Sequence, residues 1–192
     1  EIPDEILERY GKEGYQGPGY RDGAGYKKAA PAVRSNMQGG SKLLPSLEDA
    51  LRKCGVKDGM VLSFHHHFRD GDYVVNMVME AVAAMGIKDI TICASSLGAA
   101  HDPVAKLIED GVVTGIQSSG VRGKIGEAIS GGKLKNPAII RSHGGRVRAI
   151  EEGDVHIDIA FIGASTSDEY GNARGVGGKS NCGVLSYSMA DA

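Results

Sequence analysis

Residues 60–86 constrain the fold of this chain more than any other part of its sequence. A short apolar run leads through three histidines, an arginine and two aspartates into an apolar segment that has no breaker before Gly86. The first run has the length of a strand, whereas residues 73–85 are too long for one and are apolar around most of a helical circumference. The pattern predicts a buried strand and then a buried helix, with Asp70 or Asp72 accepting hydrogen bonds from the first turn.

The same alternation of strand and helix patterns continues along the chain. Strands are predicted at residues 60–64, 89–94, 112–117, 138–142, 157–163 and 182–187. Helices are predicted at residues 47–54, 72–85, 102–110, 122–130 and, from a weaker pattern, 145–151. Alternation of this kind predicts an α/β fold for residues 46–192, with an open, mainly parallel sheet flanked by helices. Asn76 and Glu80 leave one narrow polar stripe on the otherwise apolar helix at 72–85.

Residues 1–45 differ in composition and are predicted to form an irregular N-terminal arm. A short helix is indicated at residues 2–10, after which closely spaced glycines and tyrosines break any period. Two interpretations stay open. The arm either lies against a surface through its tyrosines or is a mobile tail, because glycine-rich polar segments gain little from ordering.

Composition excludes several classes of protein. The net charge is −2 and no basic run with interleaved aromatics occurs, so nucleic acid is not an expected partner. The three cysteines are widely spaced and form no CxxC motif, which indicates reduced thiols and a cytoplasmic location. No apolar run is long enough for a membrane span, so no membrane association is expected.

Hydroxyl and glycine residues follow every predicted strand. Because parallel strands end at the same edge of a sheet, these residues predict a polar cleft with small donors and bare backbone N–H groups. Ordinary turn chemistry is the alternative, since hydroxyls are common in loops. The residues are Ser63 with the histidines, Ser95, Ser96, Ser118, Ser119, Ser142 to Gly145, Ser165 to Asp168 with Asn172, and Ser186.

The histidines and the arginine between the first strand and its helix suggest binding of an anionic ligand. Alternate strand residues share a face, so His65 and His67 are expected to converge, and Arg69 adds a bidentate donor. A structural role for the histidines is the alternative. A metal site is not predicted, because two imidazoles without a placed third ligand are incomplete.

Two glycine-rich segments carry further candidates. Gly144 and Gly145 follow a predicted strand and offer backbone N–H groups to an oxyanion, although a simple turn has the same pattern. Residues 175–181 superficially match a phosphate-binding loop, but Ala173 occupies the position of its first glycine and no helix follows. Lys179 remains a candidate contact for a phosphate or a carrier.

Several motifs in sequence order resemble the α subunit of citrate lyase, over about residues 42–192. They are Ser63-Phe64-His65-His66 with Phe68-Arg69, Val75 to Met79, Ser142 to Val147, Asp158 to Phe161, Asp168 to Ala173, and Gly178-Lys179. The resemblance implies a fold shared with CoA transferases. It also implies exchange of the acetyl group on a carrier thioester for citrate, which gives citryl carrier and acetate.

The implied reaction needs donors for a tricarboxylate and an oxyanion hole, and the candidate residues found by position have the right chemistry for both. Gly144 and Gly145 are the catalytic candidates, as oxyanion donors. The substrate-binding candidates are His65, His67, Arg69, Ser95, Ser96, Ser118, Ser119, His143, Asn172 and Lys179. The implied thioester substrate is acetyl-CoA or the CoA-like prosthetic group of an acyl carrier protein, with no tightly bound cofactor. The β and γ subunits of citrate lyase and further copies of the chain are the implied protein partners.

The family is expected to place a second domain of similar fold after Ala192, so these 192 residues are expected to bind ligand weakly and to transfer no acyl group. Two other classes of function stay open. A sugar-phosphate isomerase or ligand-sensing domain of the same fold would use the same cleft for a phosphorylated sugar. A non-catalytic scaffold would gather partner subunits through the tyrosine-rich arm and show no ligand-dependent stabilisation.

Overall fold

A computed structural model of the chain describes residues 3–11, 40–65, 68, 72–183, 188, 190 and 191. Its helices are α1 (Asp4–Tyr10), α2 (Leu47–Cys54), α3 (Val74–Ala84), α4 (Val104–Glu109), α5 (Gly123–Ser130) and α6 (His143–Glu151), with a 3₁₀ turn at Ala99–His101. Its strands are β1 (Val61–His65), β2 (Ile90–Ala94), β3 (Val113–Ser118), β4 (Ile139–Ile140), β5 (Ile159–Ile162), β6 (Thr166–Ser167) and β7 (Ala173–Arg174).

The five main strands form one parallel sheet in the order β4-β3-β2-β1-β5. The predicted α/β class is confirmed. The chain builds outward from β1 to β4 and then returns to add β5 on the other side of β1, so the strand order reverses at β1. In open parallel sheets, ligands bind outside the carboxyl ends of the strands near such a reversal.

Both faces of the sheet are covered, because alternate strand residues point to opposite sides. Leu62 and Phe64 of β1 join the larger apolar core, which α2, α3, α4 and α5 cover. Cys93 of β2 lies on the other face, in a smaller cluster with Ala149 and Ile150 of α6. The return connection from β4 to β5 thus places α6 opposite the helices of the outward connections.

Local signals set most element boundaries. Ser46 Oγ accepts the Asp49 N–H at 3.0 Å at the start of α2, and Gly55 ends that helix with a positive φ. Asp70 and Asp72 were the two predicted caps of α3, and the structure describes only Asp72. Its Oδ1 accepts the Val74 N–H at 3.0 Å, which confirms this cap. The aromatic rings of Phe64 and Phe161 stack with centroids 5.2 Å apart and attach β5 to β1.

Three predictions of local structure were wrong. The helix predicted to be buried is not buried throughout: Met77 is 57% exposed, whereas Asn76 is buried because its Nδ2 donates to the Ala100 carbonyl at 2.8 Å. The edge strand β4 has only two residues, Ile139 and Ile140, since Arg141 and Ser142 already lead into α6.

The third error concerns the end of the chain. Residues 166–174 form an antiparallel hairpin that the sequence did not indicate. Residues 181–183 are not in a strand, and the rest of the strand predicted at 182–187 lies outside the described residues. Within the described ranges, no helix has the length and apolar character required to cross a membrane.

Gly115→Ala should lower the free energy of unfolding by about 1–3 kcal/mol, as overpacking does in a filled core. A Cβ at this position of β3 would lie 2.5 Å from Thr91 Oγ1 of β2, and a β-branched neighbour has few rotamers to escape into. Gly120→Ala is the control, because a Cβ there meets nothing within 4 Å. We expect it to change stability by less than about 0.5 kcal/mol in urea denaturation. Equal losses in the two variants would contradict close packing of β2 against β3.

Candidate functional site

The carboxyl ends of the parallel strands meet at one edge of the sheet, as the sequence predicted. Main-chain hydrogen bonds continue the ladder past the strands: Ser95 N donates to Phe64 O at 3.2 Å, and Ser119 N donates to Ser95 O at 3.3 Å. His65 lies at the same level as Ser95, because β1 and β2 pair in register from Val61 with Thr91 onward. The edge therefore gathers His65, Ser95 and Ser119 from three adjacent strands.

The serines at this edge differ in what their hydroxyls do. Ser95 is 5% exposed and Ser96 is half-buried. Ser118 Oγ donates to the Gly120 carbonyl at 2.9 Å, so this hydroxyl holds the turn after β3. The buried Ser119 hydroxyl has no hydrogen-bond partner among the described residues.

The first turn of α6 adds backbone donors next to β4. Ser142 is the N-cap, and its Oγ accepts the Gly145 N–H at 3.0 Å. The structure therefore shows the turn role for Gly145, and an oxyanion would have to compete with Ser142 for that N–H. Gly144 is exposed, and its N–H has no acceptor in the described part of the chain. His143 is exposed at the first position of the helix.

Asn172 and Lys179 lie in the segment after β5. Asn172 Nδ2 donates to Asp168 Oδ2 at 2.8 Å within the turn of the β6–β7 hairpin. This bond, together with backbone N–H groups of the turn that donate to the same carboxylate, lowers the pKa of Asp168. Lys179 is exposed and follows Gly178, which packs directly against the Ser165 carbonyl just after β5. Substrate contact by Asn172 or Lys179 stays a prediction, as it does for His67 and Arg69, which lie outside the described residues.

An ion pair between Arg146 and Asp191 is buried beneath the edge, on the face of the sheet that α6 covers. Arg146 is 4% exposed and Asp191 is 6% exposed. Arg146 Nη1 donates to Asp191 Oδ2 at 3.1 Å, and Nη2 hydrogen-bonds the other oxygen. Nη2 also donates to Ser63 Oγ at 3.0 Å and contacts the Cys93 carbonyl at 3.3 Å. The guanidinium thus joins α6, β1 and β2 to Asp191, which lies in the C-terminal segment formed by the residues after β7.

His65 joins this network through its ring. Its Nδ1 lies 3.4 Å from Asp191 Oδ2, and Ser63 Oγ donates to Asp191 Oδ1. Burial alone would raise the pKa of Asp191, but hydrogen bonds from His65, Arg146 and Ser63, together with the charge of Arg146, lower it to about 2. Asp191 is therefore ionised at neutral pH. Burial raises the pKa of the neighbouring Cys93 thiol, which keeps it protonated.

Sequence reasoning missed this network, although one signal for it is visible. Arg146, Ala149 and Ile150 have the i, i+3, i+4 spacing of one helix face, and all three are buried. That spacing marks Arg146 as an inward residue of α6. Asp191 has no such signal, because it follows the last recognisable pattern in the chain.

A second set of buried polar groups holds the loop after β2 against the start of α3. His101 Nδ1 accepts the Gly98 N–H at 3.1 Å, so its Nε2 carries the proton and donates to the Asp72 carbonyl at 3.1 Å. His101 is 1% exposed and acts as a structural histidine. These bonds fix the loop that begins with Ser95 and Ser96 at the edge.

The donors gathered at the edge suit an anionic ligand. An imidazole, serine hydroxyls and the open N–H of a helix's first turn favour oxyanions. Among the described residues, no cluster of three or more histidine, cysteine or acidic side chains has a geometry that would hold a metal ion.

Asp191 should make the stability of this fold depend on acidity. Its folded-state pKa of about 2 lies below the usual 3.8, so its contribution is present above the unfolded value and is lost as the pH falls through about 2. We expect this carboxyl to contribute about 2 kcal/mol of the loss between roughly pH 5 and pH 2. Urea denaturation across this range should show a shallower pH dependence for Asp191→Asn than for the wild type.

The control for this experiment is Glu48→Gln, which removes a carboxylate from an exposed pair with Arg52. Exposed pairs contribute little, so this variant should keep the pH dependence of the wild type. Identical slopes for wild type and Asp191→Asn would contradict the ionised, buried carboxylate.

Comparison with known proteins gives consistent matches. The sequence profile of citrate lyase, alpha subunit (CitF), matches residues 40–192. The citrate lyase alpha chain of Haemophilus influenzae is 52% identical over 151 residues, which are 79% of this chain and 30% of that protein. The alpha chains of Klebsiella pneumoniae and Escherichia coli are 52% and 50% identical over the same length and with the same coverage.

A solved structure agrees with the sequence matches. A Streptococcus mutans protein assigned as the alpha subunit of citrate lyase, crystallised in complex with citrate, superposes with a TM-score of 0.83 at 50% identity. The match covers 99% of this chain and 36% of that protein. With coverage of 30% and 36%, the chain spans about a third of the length of these relatives. The resemblance inferred from the sequence motifs is thus confirmed, and the chain belongs to the citrate lyase alpha-subunit family.

Proposed function

We propose that this chain carries the citrate-binding part of an acyl transferase that moves a carrier thioester from acetate to citrate. The observation that carries the proposal is the edge of the sheet, where His65, Ser95, Ser119 and the first turn of α6 gather donors for carboxylates. The Streptococcus mutans relative, 50% identical, was crystallised with citrate. A shared fold and a donor-rich edge at the strand reversal support the same ligand here.

The proposed reaction has two acyl-transfer steps. A citrate carboxylate oxygen attacks the acetyl thioester carbonyl, and collapse of the tetrahedral intermediate expels the thiolate and leaves a mixed anhydride. The thiolate then attacks the citryl carbonyl of that anhydride and expels acetate. Each intermediate places a negative charge on one oxygen, so donors fixed in advance stabilise it. Gly144, which is exposed, is the candidate backbone donor for this role, because the Gly145 N–H already caps α6.

The remaining partners belong to the same proposal. The thioester would come from acetyl-CoA or from the prosthetic group of an acyl carrier protein, and Lys179 is a candidate contact for its phosphates. The β and γ subunits of citrate lyase and a second copy of the chain would complete the assembly in the cytoplasm. The alternative is a sugar-phosphate enzyme or sensor of the same fold, and the ligands that stabilise the chain distinguish it from the transferase.

Citrate should stabilise the folded chain, and a sugar phosphate should not. A ligand that binds only the folded state adds about 2.7 kcal/mol at a hundredfold excess over its Kd. We expect thermal unfolding to shift upward with citrate and with acetyl-CoA but not with glucose 6-phosphate. A shift with the sugar phosphate alone would favour the isomerase or sensor, and no shift with any ligand would favour the scaffold.

Acyl transfer is tested separately from ligand binding, by an assay for citryl-CoA with the same protein. Acetyl-CoA and citrate should give no citryl-CoA with these 192 residues, because they span about a third of the relatives' length, whereas a full-length relative should turn over. Turnover by the chain at the relative's rate would place all of the chemistry within these residues.

Replacing His65 should weaken citrate binding specifically. A hydrogen bond to a charged group contributes about 1.5–3 kcal/mol, so His65→Ala should raise the Kd about 10- to 150-fold in calorimetry. His156→Ala is the matched control, since this histidine is 83% exposed and precedes β5 at the opposite edge of the sheet. A similar loss in both variants, or in neither, would remove His65 from the site.

A further inference from the structure

The geometry points to Asp191 as a positioning residue for the citrate site: its carboxylate accepts the Nδ1–H of His65 and so fixes the tautomer and orientation of that ring. This inference rests on the proposed function for its consequence, although the 3.4 Å contact between Asp191 Oδ2 and His65 Nδ1 is a property of the folded chain. Asp191 does not reach the edge of the sheet, because its side chain is 1% exposed.

The Asp191 carboxylate is held in a single orientation by the groups around it. Oδ1 accepts from Ser63 Oγ and from Arg146 Nη2, whereas Oδ2 accepts from Arg146 Nη1 at 3.1 Å and faces His65 Nδ1 at 3.4 Å. A carboxylate held by both nitrogens of a guanidinium cannot rotate without breaking that pair. The position of Oδ2 beside the imidazole is therefore fixed by α6 and β1.

The chemistry of the carboxylate decides which ring nitrogen carries a proton. An ionised carboxylate has only acceptor atoms, and the pKa of Asp191, about 2, keeps it ionised at neutral pH. A favourable contact with Oδ2 thus requires a proton on His65 Nδ1. The hydrogen bond at one nitrogen of a histidine sets the role of the other. With Nδ1–H held by Asp191, Nε2 donates to a citrate carboxylate only in the ring that carries both protons, because the neutral ring then has an acceptor at Nε2.

The same ion pair links the two elements that the proposed function uses. His65 ends β1, and Arg146 lies in α6 two residues after Gly144. Because Asp191 bonds to Arg146 and contacts His65, it sets the distance between the imidazole and the first turn of α6. Residues at a binding site must be held to a fraction of an ångström by their supporting contacts.

Long-range ¹H–¹⁵N NMR of protein with ¹⁵N-labelled histidine tests the inference directly in the wild type. The His65 ring, assigned from the spectrum of His65→Gln, should show a protonated Nδ1. A bare Nδ1 in the folded wild type overturns the inference, whether or not any variant folds.

Asp191→Asn and Ser63→Ala then separate positioning from simple stability. The asparagine oxygen should take the side with Ser63 and Arg146 Nη2, which turns its NH₂ toward His65 and favours a bare Nδ1. A bare Nδ1 leaves a neutral ring, so we expect the changed tautomer together with about a tenfold loss of citrate affinity, because a neutral donor then replaces a charged one. Ser63→Ala removes a donor to the same carboxylate without touching His65, so it should lower stability and leave the tautomer and the Kd unchanged.

The outcomes are distinguishable from failure of the proposed function. An unchanged citrate Kd in folded Asp191→Asn, or an equal loss of affinity in folded Ser63→Ala, overturns the positioning role. Absence of citrate binding by a wild type whose Nδ1 is protonated contradicts the proposed function and leaves the Asp191–His65 hydrogen bond intact.

Discussion

Parallel pairing of β1 with both β2 and β5 is the constraint on which the rest of this structure depends. A strand paired on both edges in a parallel sheet has helices over both faces, so all of its side chains are buried or covered. Ser63 and His65 therefore lie on a covered face, and their polar atoms require partners supplied from elsewhere in the chain. His65 lies at the carboxyl end of β1, and ligands of open parallel sheets bind outside the carboxyl ends of the strands.

Arg146 and Asp191 are the partners of Ser63 and His65. Burial of this ion pair determines how the elements are arranged more than it stabilises the fold. A buried ion pair gains little net free energy, because removing both charges from water costs about as much as their attraction returns. Loss of one partner costs about 3–5 kcal/mol, since the other charge is left unpaired. The pair thus fixes one arrangement of α6 and the C-terminal segment on β1 and β2, as packing by Ala149 and Ile150 alone would not.

Sequence patterns predicted the layers of this fold because each layer has its own period. The strands of the parallel sheet and the capped helix α2 follow from apolar runs and local capping residues, whereas the strand order around β1 is known only from the structure. The predicted gathering of serines and His65 at one edge follows from the same topology. The inward direction of Asn76 and Arg146 was not predicted, because it depends on partners 24 and 45 residues away in the chain. The β6–β7 hairpin was missed for a different reason: two-residue strands have too few side chains to show a period.

The sequence separation within the buried network orders the events of synthesis. Ser63 and Asp191 are 128 residues apart, and Arg146 and Asp191 are 45 apart. At about 5–20 residues per second, Ser63 is made roughly 6–25 s before its carboxylate partner, and Arg146 roughly 2–9 s before. During that interval β1 and β2 can already pair, but α6 has no counter-ion for its guanidinium. The nascent chain therefore passes through a stage in which one face of its sheet cannot close, and that face closes only once Asp191 has been made.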